Sequence, residues 1–260
     1  MSTRHAVFPL ELGLADEVPS HALGRPLGIE VAGLRKRFGR IQALDGVHLQ
    51  VPMGSVTALV GRNGAGKSTL IRVLATSVLP DTGRVEVCGH EVAADPMTVR
   101  RQIGLTLGED RSFFWRLSGR QNLEFFARLE GLGRRTLEAR VDYLLSAVEL
   151  SDVAGRRVDR YSTGMRSRLG VARALVGDPR VLLFDEPTRS LDPPSATAVR
   201  QLLRTLMSGG ARCALLATHD LSEALSLADQ ILVLRGGRVV ARHVPPFEVG
   251  EIEYDLQGVQ

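Results

Sequence analysis

Lysine is almost absent from this chain. Of its 33 basic residues only Lys36 and Lys67 are lysine, and the rest are arginine. Aromatic residues are scarce as well, with eight Phe, three Tyr and one Trp in 260 residues. The two cysteines, Cys88 and Cys213, are far apart and lack metal-type spacing. Both stand in apolar, strand-like surroundings, which points to reduced buried thiols rather than a disulfide or a ligand pair. Long apolar runs are missing: stretches such as "VTALV" fall far below the roughly 18 residues that a membrane span needs. No 7–15-residue apolar core follows the first basic residue of the N-terminus, so a secretory signal is not expected. These absences give the expectation of a cytoplasmic protein. The sequence pI of 9.6 does not indicate a nucleic-acid partner, because the net charge is only +4 and no basic run exceeds a few residues. The arginine skew reads instead as codon bias of the source.

In a chain that uses arginine nearly everywhere, a retained lysine carries information. Lys67 lies in "GRNGAGKST", residues 61–69, which fits G-x-x-x-x-G-K-[ST] with Gly61, Gly66, Lys67 and Ser68 in the defining places. "VTALV" before it reads as a buried parallel strand, and "KSTLIRVLATSVL" after it has helical apolar spacing at Leu70, Val73, Leu74 and Val78. Strand, glycine loop and helix in that order surround one anion with backbone N–H groups and a helix N-terminus. Glycines at 61, 64 and 66 let the backbone wrap phosphates, with Arg62, Asn63, Ala65 and Thr69 completing the loop. Lys67 brings a compact charge to the terminal phosphates, and the Ser68 hydroxyl is a candidate Mg²⁺ ligand. A nucleotide site follows.

Its second half is expected at "RVLLFDEPT", residues 180–188. Asp185 at the end of this strand can hold Mg²⁺, and Glu186 can orient and polarise an attacking water. Residues 119–178 read as mainly helical, ending in "YSTGMRSRLGVARAL", where Ser162 is placed to N-cap a helix and form a second anion site. "RSLDP" with Asp192 and the strand "ARCALLATHD", reaching His219, come next.

In this order the motifs resemble the ATP-binding subunit of an ABC transporter, over about residues 29–243. The resemblance makes "GRNGAGKST" the Walker A loop, "VLLFDEP" the Walker B strand, "YSTGM" the signature, "SLD" the D-loop and His219 the switch histidine. It places Phe38 against adenine. It implies an α/β P-loop NTPase fold with a mostly parallel core sheet, an N-terminal antiparallel β layer and an inserted helical subdomain at about 110–178. It also implies ATP and Mg²⁺ as cofactors and hydrolysis of ATP, with Glu186 and His219 catalytic. A homodimer is expected, each ATP held between one chain's Walker loops and Ser162 and Gly164 of the other. An integral membrane permease would be the second partner, on the inner face of the cell membrane. The stretch "LGEDRSFFWRLSGRQNLEFF" is similar to ATPases of bacterial exporters. A soluble ABC-type ATPase without a permease, acting on nucleic acid or in cofactor assembly, is the alternative.

Three departures from the family pattern stand out. Thr163 and Met165 replace glycine and glutamine in the signature. Arg189 and Ser190 stand where smaller residues are common, and little effect is expected from them. The resemblance aligns Glu109 with a glutamine that touches Mg²⁺ and water, giving Glu109 a metal and catalytic role. Two unit charges 4 Å apart repel by about 4 kcal/mol at an effective dielectric of 20, so Glu109 would need Mg²⁺ or a proton beside the γ-phosphate.

Phe113, Phe114 and Trp115 follow at once, and three adjacent aromatics cannot all face inward. Trp115 and one of Phe113 or Phe114 are expected to meet the permease, with Phe125 and Phe126 in the subdomain core. Residues 1–28 read as a flexible extension, and residues 244–260 as a short acidic tail without an assigned role.

Overall fold

The computed structural model describes residues 26–107, 112–189, 191–207 and 209–258. Two sheets enclose a helix. The first is antiparallel: β1 (Leu27–Phe38) and β2 (Ile41–Pro52) form a hairpin. β4 (Thr82–Val87) pairs with the other side of β1, and β5 (His90–Glu91) with β4. The second sheet has five parallel strands: β3 (Val56–Val60), β6 (Ile103–Leu107), β7 (Val181–Asp185), β8 (Cys213–Thr218) and β9 (Gln230–Arg235). Its order is β10-β9-β3-β8-β7-β6, with β10 (Arg238–His243) antiparallel at one edge. This is the mostly parallel core with an antiparallel layer that the motif order implies.

Helices and the antiparallel sheet cover the two faces of the parallel sheet, so its central strands are buried throughout and mostly apolar, Thr57 of β3 being hydrogen-bonded by Gln230. Every residue of β3 and β8 is buried. The two-residue period divides them: Leu183 and Leu215 face α1 (Lys67–Leu74) and the antiparallel sheet. Leu182, Phe184 and Leu216 face the opposite core. That second core is completed by α3 (Gly119–Leu129), α4 (Arg134–Ala147), α5 (Thr163–Ala174) and α6 (Pro193–Met207). The short α2 (Pro96–Gln102) leads into β6.

A third cluster sits on β3 and β9. It holds Ala224 of α7 (Leu221–Leu227) and Ile252 of α8 (Val249–Gln257) against Val60, Ile231 and Val233. Part of 244–260 is therefore packed helix. Asp255 anchors it, with Oδ2 2.9 Å from His243 Nε2 and its carbonyl 2.8 Å from Arg235 Nη1. No helix among the described residues is long and apolar enough to cross a membrane.

Candidate active site

Parallel strands end together, and ligands of open α/β sheets bind beyond their carboxyl ends. Here β3 runs into Gly61, β7 into Glu186 and β8 into His219. β6 ends at Leu107, two residues before Glu109, which lies outside the described residues together with Asp110.

The loop from Gly61 to Gly66 fits where side chains would not. A Cβ on Gly61 would stand 2.3 Å from the Leu234 carbonyl oxygen. Gly66 caps α1 at φ +112°, and a Cβ there would stand 2.5 Å from the Ala43 carbonyl oxygen. Arg62, Asn63 and Gly64 are exposed at the rim, Ala65 is buried, and Ser68 and Thr69 are half-buried.

Lys67 is only 5% exposed. Its Nζ donates to the carbonyls of Gly61 at 2.7 Å and Arg62 at 3.3 Å, closing the loop on itself. Burial holds its ammonium below the ordinary lysine pKa; the charges of Glu186 and Asp185 oppose that and Arg189 adds to it. Ser68 Oγ donates to Asp185 Oδ1 at 3.2 Å. Burial raises the Asp185 pKa, partly offset by that hydrogen bond. A hydroxyl and a carboxylate, both hard oxygen donors, fit Mg²⁺, which takes one or two protein ligands and completes its shell with phosphate oxygens and water.

Glu186 sits in an uncommon conformation, φ +53°, where a non-glycine residue costs roughly 1–2 kcal/mol. Its N–H donates to the Ala217 carbonyl at 2.8 Å, tying the bend to β8. Its Oε1 lies 3.2 Å from His219 Nδ1, and its Oε2 lies 3.4 Å from Arg189 Nη1. That Oε2 is buried and makes no hydrogen bond, so the Arg189 contact is an ion pair without hydrogen-bond geometry. Arg189, from which little effect was expected, therefore faces the candidate catalytic carboxylate.

The candidate residues divide into two groups. Lys67, Ser68, Asp185, Glu186 and His219 converge. Ser162, Gly164 and Asp192 form a second group at the starts of α5 and α6. Ser162 Oγ accepts the Met165 N–H at 3.2 Å, the cap expected from the sequence, and Asp192 Oδ2 accepts the Ser195 N–H at 3.2 Å. A Cβ on Gly164 would meet Ser195 Oγ at 2.6 Å, so glycine lets the two helix ends cross closely. Among the described residues, no hydrogen bond joins this group to the Gly61–Thr69 loop. Ser167 Oγ, donating to the Pro187 carbonyl at 2.9 Å, links α5 to the turn after Glu186. Phe38 is 47% exposed at the end of the β1–β2 hairpin, with Lys36 Nζ 5.4 Å from its ring centre.

One residue of this region was not found by motif matching. Glu223 of α7 is 1% exposed, and its Oε1 accepts from Thr188 Oγ1 at 2.7 Å, bracing the turn after Glu186. Burial raises its pKa above the ordinary glutamate range. The spacing Asp220-x-x-Glu223 at a helix start was the available signal.

The aromatic stretch separates by position. Phe113 is 3% exposed and belongs to the core, whereas Phe114 and Trp115 are 45% and 42% exposed. Phe126 packs against that core. Phe125 is half-buried and bridges the two: its ring lies edge-on to Phe114 at 4.7 Å and to Phe126 at 5.4 Å between ring centres.

A family model described as ABC transporter matches residues 44–189. The chain is 48% identical over 213 residues to a daunorubicin resistance ATP-binding protein of Streptomyces coeruleorubidus, covering 82% of this chain and 67% of that one. It is 43% identical to a daunorubicin/doxorubicin resistance ATP-binding protein of Streptomyces peucetius, covering 82% of this chain and 64% of the other. The chain thus spans about two thirds of these relatives' length. Among solved structures, cbiO1 of Clostridium perfringens, part of an ABC transporter complex, superposes with a TM-score of 0.78 at 28% identity, covering 84% and 89% of the two chains. With the Lys67 loop, the Asp185–Glu186 strand end and the Ser162 helix cap already in place, the chain belongs to the ABC transporter family and contains its ATP-binding domain.

Proposed function

We propose that this chain binds and hydrolyses Mg-ATP and that two copies close around two ATP molecules to drive export through a separate membrane permease. The observation that carries the reading is Glu186, held against His219 beside the Lys67–Ser68–Asp185 cluster. Lys67 is to exchange its carbonyl partners for phosphate oxygens, and the N–H groups at the start of α1 receive the same anion. Ser68 and Asp185 would hold Mg²⁺, which when bound supplies charge neutralisation at the phosphates. Glu186 orients the attacking water and accepts its proton, with His219 fixing the carboxylate. That no hydrogen bond among the described residues joins the Ser162 group to the Lys67 loop supports a site completed in trans: the α5 N-terminus of one chain would cover the ATP of the other. Phe38 is proposed to stack on adenine, and Glu109 to take part at the metal and water.

The names of the relatives support drug export as the type of transport. A permease contact is proposed at Phe114 and Trp115, with Phe113 holding the loop from within, which places the chain on the inner face of the membrane. Purification of the tagged chain from detergent-solubilised native membranes is expected to recover a multi-span integral protein. A Phe114→Ala, Trp115→Ala variant should recover at least about tenfold less, since paired aromatic anchors at an interface centre are worth 2 kcal/mol or more each. Recovery of soluble partners alone would favour the permease-free ATPase.

A further inference from the structure

The phosphate loop accounts for one of the chain's two lysines, and Lys36 is the other. It stands between Arg35 and Arg37 on β1, so lysine is kept where both neighbours are arginine. Its side chain is only 15% exposed, and its Nζ donates to Asp81 Oδ1 at 2.7 Å. The other carboxylate oxygen, Oδ2, accepts the Arg37 N–H at 2.7 Å, and the Asp81 N–H donates to the Arg35 carbonyl at 3.0 Å. Asp81 is thus tied to β1 on both sides of Lys36. The Lys36 bond, and after it the Arg37 bond, hold its carboxyl below the ordinary aspartate pKa.

This tether sets the ammonium over an aromatic ring. Lys36 and Phe38 are two residues apart on one strand, the spacing that puts side chains on the same face. Nζ lies 5.4 Å from the Phe38 ring centre, inside the roughly 6 Å over which a cation is attracted to a ring face. With Lys36 in place the ring is still 47% exposed. That open ring stands close to the phosphate loop, because β2 is fastened there. Ala43 packs on Gly66, Asp45 N–H donates to the Gly237 carbonyl at 2.8 Å, and Gly237 N–H donates to the Ala65 carbonyl at 3.0 Å. Phe38 pairs with Ile41, two residues from Ala43, which is about 7 Å at the rise of a strand. Lysine suits the position better than arginine. Its ammonium is a compact charge, whereas a guanidinium stacks flat on aromatic faces and competes for the surface a base would use.

Resting on the reading of Phe38 as the adenine platform, we propose that Lys36 is a positioning residue for the nucleotide base. Its ammonium, fixed by Asp81, holds one face of the Phe38 ring and leaves the other face open to adenine. Lys67 serves the phosphates and Lys36 serves the base, each through a compact charge that arginine does not replace.

The test compares Mg-ADP with Mg-pyrophosphate by calorimetry on the full chain, since the two ligands share two phosphates and differ by the nucleoside. The variants are K36M, K36Q, F38A and K36Q/F38A. Glutamine keeps an N–H donor for Asp81 and lacks the charge, so it separates the tether from the cation and decides the matter where K36M does not fold. The proposal expects K36M and K36Q to lose roughly three- to tenfold in ADP affinity, with pyrophosphate affinity within about twofold of wild type. On the F38A background K36Q should add no further loss, because Lys36 acts through that ring. An equal loss for both ligands overturns the proposal, marking Lys36 as a general support of the phosphate loop. Full ADP affinity in K36Q overturns it too, and assigns Lys36 to the tether alone. So does a K36Q loss on the F38A background as large as on the wild type. If F38A leaves the ratio of ADP to pyrophosphate affinity unchanged, the Phe38 reading falls and this inference with it. If F38A lowers that ratio and K36Q does not, only this inference falls.

Discussion

Glu186→Gln is expected to lower ATP turnover by about 10²- to 10⁴-fold while leaving ATP affinity within a few-fold of the wild type. The substitution keeps shape, removes the ability to accept a proton from the attacking water, and leaves Arg189 without its charge partner. The contact with His219 Nδ1, 3.2 Å in the structure, is retained because an amide oxygen accepts as a carboxylate oxygen does. The bend at φ +53° costs glutamine what it costs glutamate, so the fold is not disturbed. Nothing at the Lys67 loop is lost, since Nζ bonds the Gly61 and Arg62 carbonyls rather than Glu186. Steady-state phosphate release and fluorescent-nucleotide titration separate the two effects. Turnover within about threefold of wild type would move the water-activating role to another group.

Lys67→Met should weaken ATP binding by roughly 10- to 150-fold, the equivalent of about 1.5–3 kcal/mol for a lost hydrogen bond to a charged group. The stability of the nucleotide-free protein should change by no more than about 1 kcal/mol, because two effects oppose. Removing a buried ammonium relieves a desolvation cost, which is the cause of its lowered pKa. The Gly61 carbonyl in turn loses its 2.7 Å partner. Methionine retains most of the apolar stem in the same space. Arginine is not expected to rescue, although the chain uses it almost everywhere else. The buried space under the loop suits a compact point charge, not a planar fork. Retained affinity in Lys67→Met, read by titration, would show that the backbone alone holds the phosphates.

How much of this was legible in the sequence depends on how local the cause is. The strand before the phosphate loop, the strand ending in Asp185 and the Ser162 cap all appear where pattern and spacing put them. In each case the determinant is a short apolar run or a capping side chain beside its own helix. Helix α8 was not legible. "VGEIEYDLQ" is short and acidic, and it is held by Ile252 against strands β3 and β9 and by the Asp255–His243 contact. The three adjacent aromatics allowed only the statement that some must face out. Which one turns inward depends on Asn122, a side chain eight residues after Phe114 that captures its backbone. Phe125, expected in the core, is half-buried and bridges core-packed Phe126 and exposed Phe114, a position that the helical spacing of α3 alone does not give. The pairing of Arg189 with Glu186 likewise needed coordinates, since an arginine three residues on can point either way. Glu109, the departure with the largest electrostatic consequence, lies outside the described residues, and its role stays a proposal.

The claim on which the rest depends is that two chains share each ATP. Light scattering of the Glu186→Gln protein with saturating Mg-ATP measures this directly, with Mg-ADP as the reference. The expected result is a molar mass of two chains with Mg-ATP and of one with Mg-ADP. A single-chain mass with saturating Mg-ATP would contradict it, leaving the Ser162 helix end without the phosphate it is proposed to meet.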